Sequence, residues 1–256
     1  MTSTTSPDNA QVNTADTSFV LVHGSWAGGW AWRRILALLR AAGFEAHAPT
    51  LTGVGERAHL LSPTIRLSTH VQDVIGLITT LELQRVVLVG HSYAGMVITG
   101  VADRLQQSHP GLLSSLVYLD AITPHPGECW SSQHSAQTIA QRLASGAASN
   151  DLSFDPPDAS VFGLSGADRD WVNRRQTPQP MALYQDPLNF DAARLANLPR
   201  TFIDCHQPAL ATIDVMRQRV RAEPGWNVVE LATGHYPMLS APEALSKLLL
   251  QQTRLR

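Results

Sequence analysis

A serine between a strand-forming run and a run at helical spacing is placed to react, and VVLVGHSYAGMVITG, Val86 to Gly100, puts Ser92 there. Val86 to Val89 read as a buried strand, while Met96, Val97, Val101 and Leu105 recur as one face of a helix. A sharp strand-to-helix turn with serine at its apex lifts the hydroxyl above the carboxyl edge of a sheet. The free N–H groups and positive end of the helix then favour an oxyanion. Gly90 and Ala94 supply the small residues such a turn needs, because its backbone presses on neighbouring strands. A nucleophilic serine requires a base. His235, in ELATGHYPML, follows the last strand-like run and a glycine that lets the loop fold back, so it is the candidate base. The acid that would orient its imidazole has two candidates. Asp120 ends LLSSLVYLD, the strand directly after the nucleophile's helix; Asp204 lies inside RTFIDC, whose following loop, HQPAL, holds no acid. Placement at the carboxyl edge favours Asp120, with Asp204 the alternative.

These side chains need a scaffold, and the pattern around them is β alternating with α. SFVLVHG leads into a helix with Ile35, Leu38 and Leu39 on one face, then a short strand at FEAHA. STHVQDVIGLITTLEL aligns Val71, Val74, Ile75 and Ile78, with Thr69 and Gln72 expected as its capping box. RTFIDC, ATIDVMRQRVRA and WNVVEL continue the alternation, and a last helix starts at Ala241 with Ser240 and Glu243 as capping box. The expected fold class is α/β: a mostly parallel central sheet flanked by helices, with residues 18–123 and 196–256 forming the core. Residues 124–195 break the pattern with Pro, Gly, Ser and Gln and read as an inserted cap, whose aromatics, among them Trp130, Phe154, Phe162, Trp171, Tyr184 and Phe190, should pack partly on the core. Residues 1–17, rich in Ser, Thr, Asn and Asp, read as a disordered tail.

Composition narrows the function classes. Apolar residues at 44% and charged residues at 16% describe a well-buried globular chain, and 19 basic against 21 acidic side chains give no electrostatic footprint for nucleic acid. There is no signal-peptide pattern and no apolar run of membrane-spanning length, so the expected location is the cytoplasm, without a membrane partner. Cys129 and Cys205 are too few and too far apart for a disulfide framework or zinc site and read as free thiols. Self-association into a homodimer stays open.

FVLVHGSWAGGWAW, PTLTGVGERAHL, VVLVGHSYAGM and GHYPMLSAPEAL together resemble the α/β-hydrolase superfamily. The likeness is closest to the branch of bacterial carboxylesterases, plant methyl esterases and hydroxynitrile lyases. It runs from about Ser18 to the C-terminus and is weakest in the cap. It implies an oxyanion hole from the backbone N–H groups of Ser25 and Tyr93, and a small-molecule ester as substrate, apolar or aromatic and of small to medium size. It also implies an acyl-enzyme intermediate on Ser92 and no metal or organic cofactor. Trp26, Trp130, Trp171, Phe190 and Tyr236 are candidates for the substrate pocket. Two positions depart from the family pattern: Ala94 where glycine is common, and an empty usual acid position, for which Asp120 matches the location in haloalkane-dehalogenase-like relatives. Hydroxynitrile lyases resemble one another in a Thr and a Lys where this chain has Gly24 and Tyr236, which disfavours the lyase reading. A ligand-binding receptor on the same fold is the second alternative.

Overall fold

β1, Thr17–Val22, carries an unbroken apolar run from Phe19 to Val22 because both of its faces are covered, and all six residues are buried. A computed structural model describes residues 16–150 and 152–253; the expected tail lies outside the described residues but for Asp16 and Thr17, and Thr17 belongs to β1. Along the chain follow α1 (Arg33–Ala41), β2 (Glu45–His47), α2 (Leu67–Thr80), β3 (Arg85–His91), α3 (Ala94–Ser108) and β4 (Leu113–Leu119). Then come α4 (Ala136–Ala147), β5 (Ser153–Phe154), α5 (Gly166–Asn173), β6 (Gln179–Pro180) and α6 (Ala192–Leu195). β7 (Arg200–Cys205), α7 (Asp214–Ala222), β8 (Trp226–Leu231), α8 (Pro237–Ser240) and α9 (Pro242–Gln252) complete it.

The main sheet has the order β2-β1-β3-β4-β7-β8 and every pairing in it is parallel, as alternating β and α require. α1 packs against α9 and α2 against α3, burying the apolar faces read from their spacing. Between β4 and β7 the chain adds no strand to this sheet; β5 and β6 pair only with each other, antiparallel. Register aligns the carboxyl ends: Val22 lies beside Gly90, His91 beside Leu119 and Cys205 beside Leu231. The loops starting at His23, Ser92, Asp120 and Ala232 therefore leave from one edge, where open parallel sheets hold their ligands.

Two helix starts differ from expectation. α2 begins at Leu67, so Thr69 is its third residue and its hydroxyl accepts the Arg66 N–H at 3.1 Å, while Asp186 from the insert takes the Leu67 N–H at 2.7 Å. Ser240 does not cap α9. Its hydroxyl closes α8 on the Tyr236 carbonyl and meets Thr233, and Pro242 at the first turn of α9 needs no acceptor for the N–H it lacks. Both cysteines are free. No helix among the described residues is long and apolar enough to cross a membrane.

Candidate active site

Ser92 sits at φ +57°, a left-handed conformation that costs a non-glycine residue energy and is held only where the surroundings enforce it. The enforcement is visible in the glycines around it. A Cβ on Gly90 would lie 2.7 Å from the Ala94 carbonyl oxygen, one on Gly95 1.8 Å from that of Ile122, and one on Gly24 3.0 Å from the Ser92 Cβ. Ala94, in contrast, fits its extra methyl in full burial. The Ser92 N–H donates to Leu119 O at 3.2 Å and its carbonyl accepts from Ile122 N at 3.0 Å, which ties the loop after β3 to the loop after β4. His91 and Tyr93 are buried, while Ser92 is partly open to a cavity.

Asp120 follows β4 at φ +42° and is fully buried. Its Oδ2 accepts from His235 Nδ1 at 2.7 Å and its Oδ1 from Arg217 at 2.7 Å. With Nδ1–H given to the carboxylate, Nε2 of His235 keeps its lone pair. Asp204 does not meet His235: its Oδ1 takes Arg217 Nε at 2.6 Å and its Oδ2 takes Arg221 at 2.6 Å. Burial works against the Arg217 charge, but Asp120, Asp204 and Asp214 outweigh it and raise the guanidinium's basicity. The loop carrying His235 is tied down by His91, whose Nε2–H donates to the His235 carbonyl at 2.7 Å; the two rings are 4.6 Å apart. Burial, then the neighbouring His235, holds His91 well below the usual imidazole range. Phe162 bridges the two regions, its ring 5.6 Å from that of His235 and on the wall of the cavity that Ser92 enters. No hydrogen bond joins Ser92 Oγ to His235 among the described residues; such bonds often tighten only with substrate.

The loop after β1 brings Ser25 to the same cavity. His23 Nε2 accepts the Leu51 N–H at 3.0 Å, so its Nδ1 carries the proton and donates to Gly24 O at 2.8 Å; burial lowers its pKa to about 4 and keeps it neutral. Trp26, at φ +59°, donates its N–H to Gln179 Oε1 at 2.8 Å and its carbonyl accepts from Thr177 N–H at 3.0 Å, so residues 177–179 grip this loop. The N–H groups of Ser25 and Tyr93 have no hydrogen-bond acceptor among the described residues. Tyr93 itself is anchored by its hydroxyl, 3.2 Å from His70 Nδ1. Nε2–H of His70 donates to Thr52 O at 2.8 Å, and burial lowers the His70 pKa to about 4.

The cavity measures about 130 Å³. Of the pocket residues expected from sequence, Trp26 and Trp130 line it. Tyr236 does not; it is buried behind the wall, its ring 5.0 Å from His91 and 5.2 Å from Phe162. Trp171 meets Trp30 edge to face, ring centroids 5.0 Å apart, beside a separate surface depression with Arg33 and Arg34, and Phe190 packs against the core away from the cavity. Aromatic content cannot say which rings face the cavity and which pack elsewhere. Sequence reasoning did not single out Phe162, Gln133, His134 or Arg142 as cavity residues. The one signal was charge: Arg142 is the sole charged residue in α4. A wider depression of about 570 Å³, lined by Thr79, Glu82 and His109, sits at the amino edge of the sheet, away from Ser92. Among the described residues no three His, Cys, Asp or Glu side chains converge to hold a metal ion.

The model of the alpha/beta hydrolase family matches residues 19–248. The chain belongs to that family. The hydrolase is 40% identical over 238 residues to the carbendazim hydrolyzing esterase of Nocardioides sp. (strain SG-4G), covering 90% of this chain and 97% of the relative. It is 26% identical to methylesterase 2 of Arabidopsis thaliana, over 91% and 94% of the two chains. Among solved structures, an extracellular alpha/beta-hydrolase from a Paenibacillus species superposes with a TM-score of 0.77 at 21% identity, over 93% of this chain and 99% of that one, which speaks to fold. With its esterase relatives, the chain is a carboxylic ester hydrolase.

Proposed function

We propose that this hydrolase cleaves small carboxylic esters through a covalent acyl-enzyme on Ser92. The observation that carries the reading is the 2.7 Å bond from His235 Nδ1 to Asp120, made at the sheet edge where Ser92 stands in its strained turn. Ser92 Oγ bonds to the ester carbonyl carbon while its proton passes to His235 Nε2. The carbonyl oxygen becomes an oxyanion, held by the N–H groups of Ser25 and Tyr93, and Asp120 stabilises the imidazolium. The C–O bond to the alcohol breaks as the imidazolium returns its proton to the leaving oxygen. Water, deprotonated by the same imidazole, then attacks the acyl carbon and frees Ser92 and the acid.

A cavity of about 130 Å³ suits a compact acyl group, since a cavity of roughly 150 Å³ admits a benzene ring. The curated relatives named for carbendazim and methyl esters support small esters as the substrate class. Gly24 and Tyr236 stand where the lyases resemble one another in Thr and Lys, and the esterase relatives favour hydrolysis over the lyase and receptor readings. The test is Ser92→Ala against wild type with p-nitrophenyl acetate. Expected are steady-state turnover in wild type, its loss in the variant, and an unchanged circular dichroism spectrum. Sustained hydrolysis by the variant would refute Ser92 as nucleophile.

A further inference from the structure

Arg142 is a cation without an anion. α4 delivers it to the cavity that also exposes Ser92 and Ser25, and it is the one charged side chain on that cavity's wall among the described residues. It forms no hydrogen bond or ion pair among them, and its Nε is buried with no partner. Two other arginines of residues 124–195 face carboxylates, Arg169 reaching Asp158 at 2.7 Å and Arg194 reaching Asp103 at 2.9 Å, while Arg175 lies over the Trp171 ring and donates to the Trp171 carbonyl at 3.1 Å. Arg142 meets rings instead. Its guanidinium carbon lies 5.0 Å from the ring centroid of Trp26, 5.4 Å from Phe154, 5.6 Å from Trp130 and 5.8 Å from Tyr184. Aromatic faces attract a cation and hold it in place, but they leave its N–H donors unused. Burial lowers its basicity, as for a charge drawn out of water with no carboxylate beside it. Next to it on the wall, His134 is kept neutral at about 4 by burial and by the Arg142 charge, so the wall carries a single positive charge.

We propose that Arg142 determines specificity by binding a carboxylate on the acyl part of the substrate, so that the preferred substrate is the half-ester of a small dicarboxylic acid. A guanidinium presents paired N–H donors to the two oxygens of a carboxylate, and in a cavity shielded from water that pairing is stronger than at the surface. A neutral ester would instead leave the partly buried cation unpaired. The acyl part is the one concerned because it carries the carbonyl that the Ser25 amide must reach, and Ser25 and Arg142 line one small cavity. This rests on the ester-hydrolase reading, and the test separates the two.

Monomethyl succinate and methyl levulinate have nearly the same shape and differ in a carboxylate against a methyl ketone. Ser92→Ala protein is titrated calorimetrically with each at pH 7, and again after adding Arg142→Met or Arg142→Lys. We expect the half-ester to bind about 10- to 100-fold more tightly than methyl levulinate, as a charge-assisted pair would give. That advantage should fall to near parity with Met and be partly kept with Lys. Equal affinity in Ser92→Ala protein, or an advantage that survives Arg142→Met, overturns the proposal. In wild type the ratio of kcat/KM should follow the same order; a binding preference without turnover of any ester would sink the hydrolase mechanism and leave the carboxylate site standing.

Discussion

Both oxygens of Asp120 are engaged, one by His235 and one by Arg217, so the carboxylate cannot rotate away from the imidazole without breaking an ion pair in a buried setting. Asp204 acts one step removed, holding the other side of the Arg217 guanidinium. Asp120→Asn should therefore lower kcat on p-nitrophenyl acetate by up to about 10⁴-fold, because the amide disturbs the tautomer that leaves Nε2 free. Asp204→Asn, which only loosens the support, should cost about tenfold or less. Losses of similar size in the two variants would mean that Asp120 is not the orienting acid. Sequence could rank these carboxylates by their place on the strands, but not see Arg217 joining them, because its link to Asp120 spans most of the distance from β4 to α7 along the chain.

At the scale of elements, residues 124–195 reach the loop after β1 as well as the cavity wall. Gln179 of β6 is buried and is the acceptor for the Trp26 N–H, one residue beyond the Ser25 amide proposed to hold the oxyanion. In Gln179→Ala that N–H would be buried without a partner, a loss of about 1–3 kcal/mol. The expected result is a lower Tm together with a kcat reduced about tenfold or more and a smaller change in KM, since an amide held loosely fails mainly at the transition state. A lowered Tm with unchanged kcat would show that the loop keeps its shape without the Gln179 bond. The pairing of β6 with β5 was not legible beforehand: each strand has two residues, too short for any periodicity.

For the whole molecule, burial of neutral histidines under the carboxyl edge couples folding to pH. His23 and His70 have pKa values lowered to about 4, and His91 lies well below the ordinary 6.5, each chiefly by desolvation. Between about pH 6.5 and 4 the unfolded chain binds protons at these positions and the folded chain does not. Stability is then full above 6.5 and falls as the solution is acidified, by about 1.4 kcal/mol per histidine per pH unit in that window. Thermal melts from pH 8 to 4.5 should show Tm falling below pH 6.5. His70→Gln, which keeps a donor for Thr52 O, should make that fall shallower; an unchanged slope would show that His70 is not a source of it.

The alternation of strands and helices, the turn at Ser92 and the return of a histidine after the last strand are local matters. Each depends on residues within a few positions of one another, so the sequence alone determined them, and with them the α/β fold. Which carboxylate faces His235, which aromatic rings turn inward and where Arg142 points were decided only in three dimensions. Those outcomes depend on side-chain direction and on contacts between segments far apart in the chain, and neither composition nor periodicity carries that information. Trp171 and Phe190 have the same chemistry as Trp26 and Trp130; their positions in the packed insert alone set them apart.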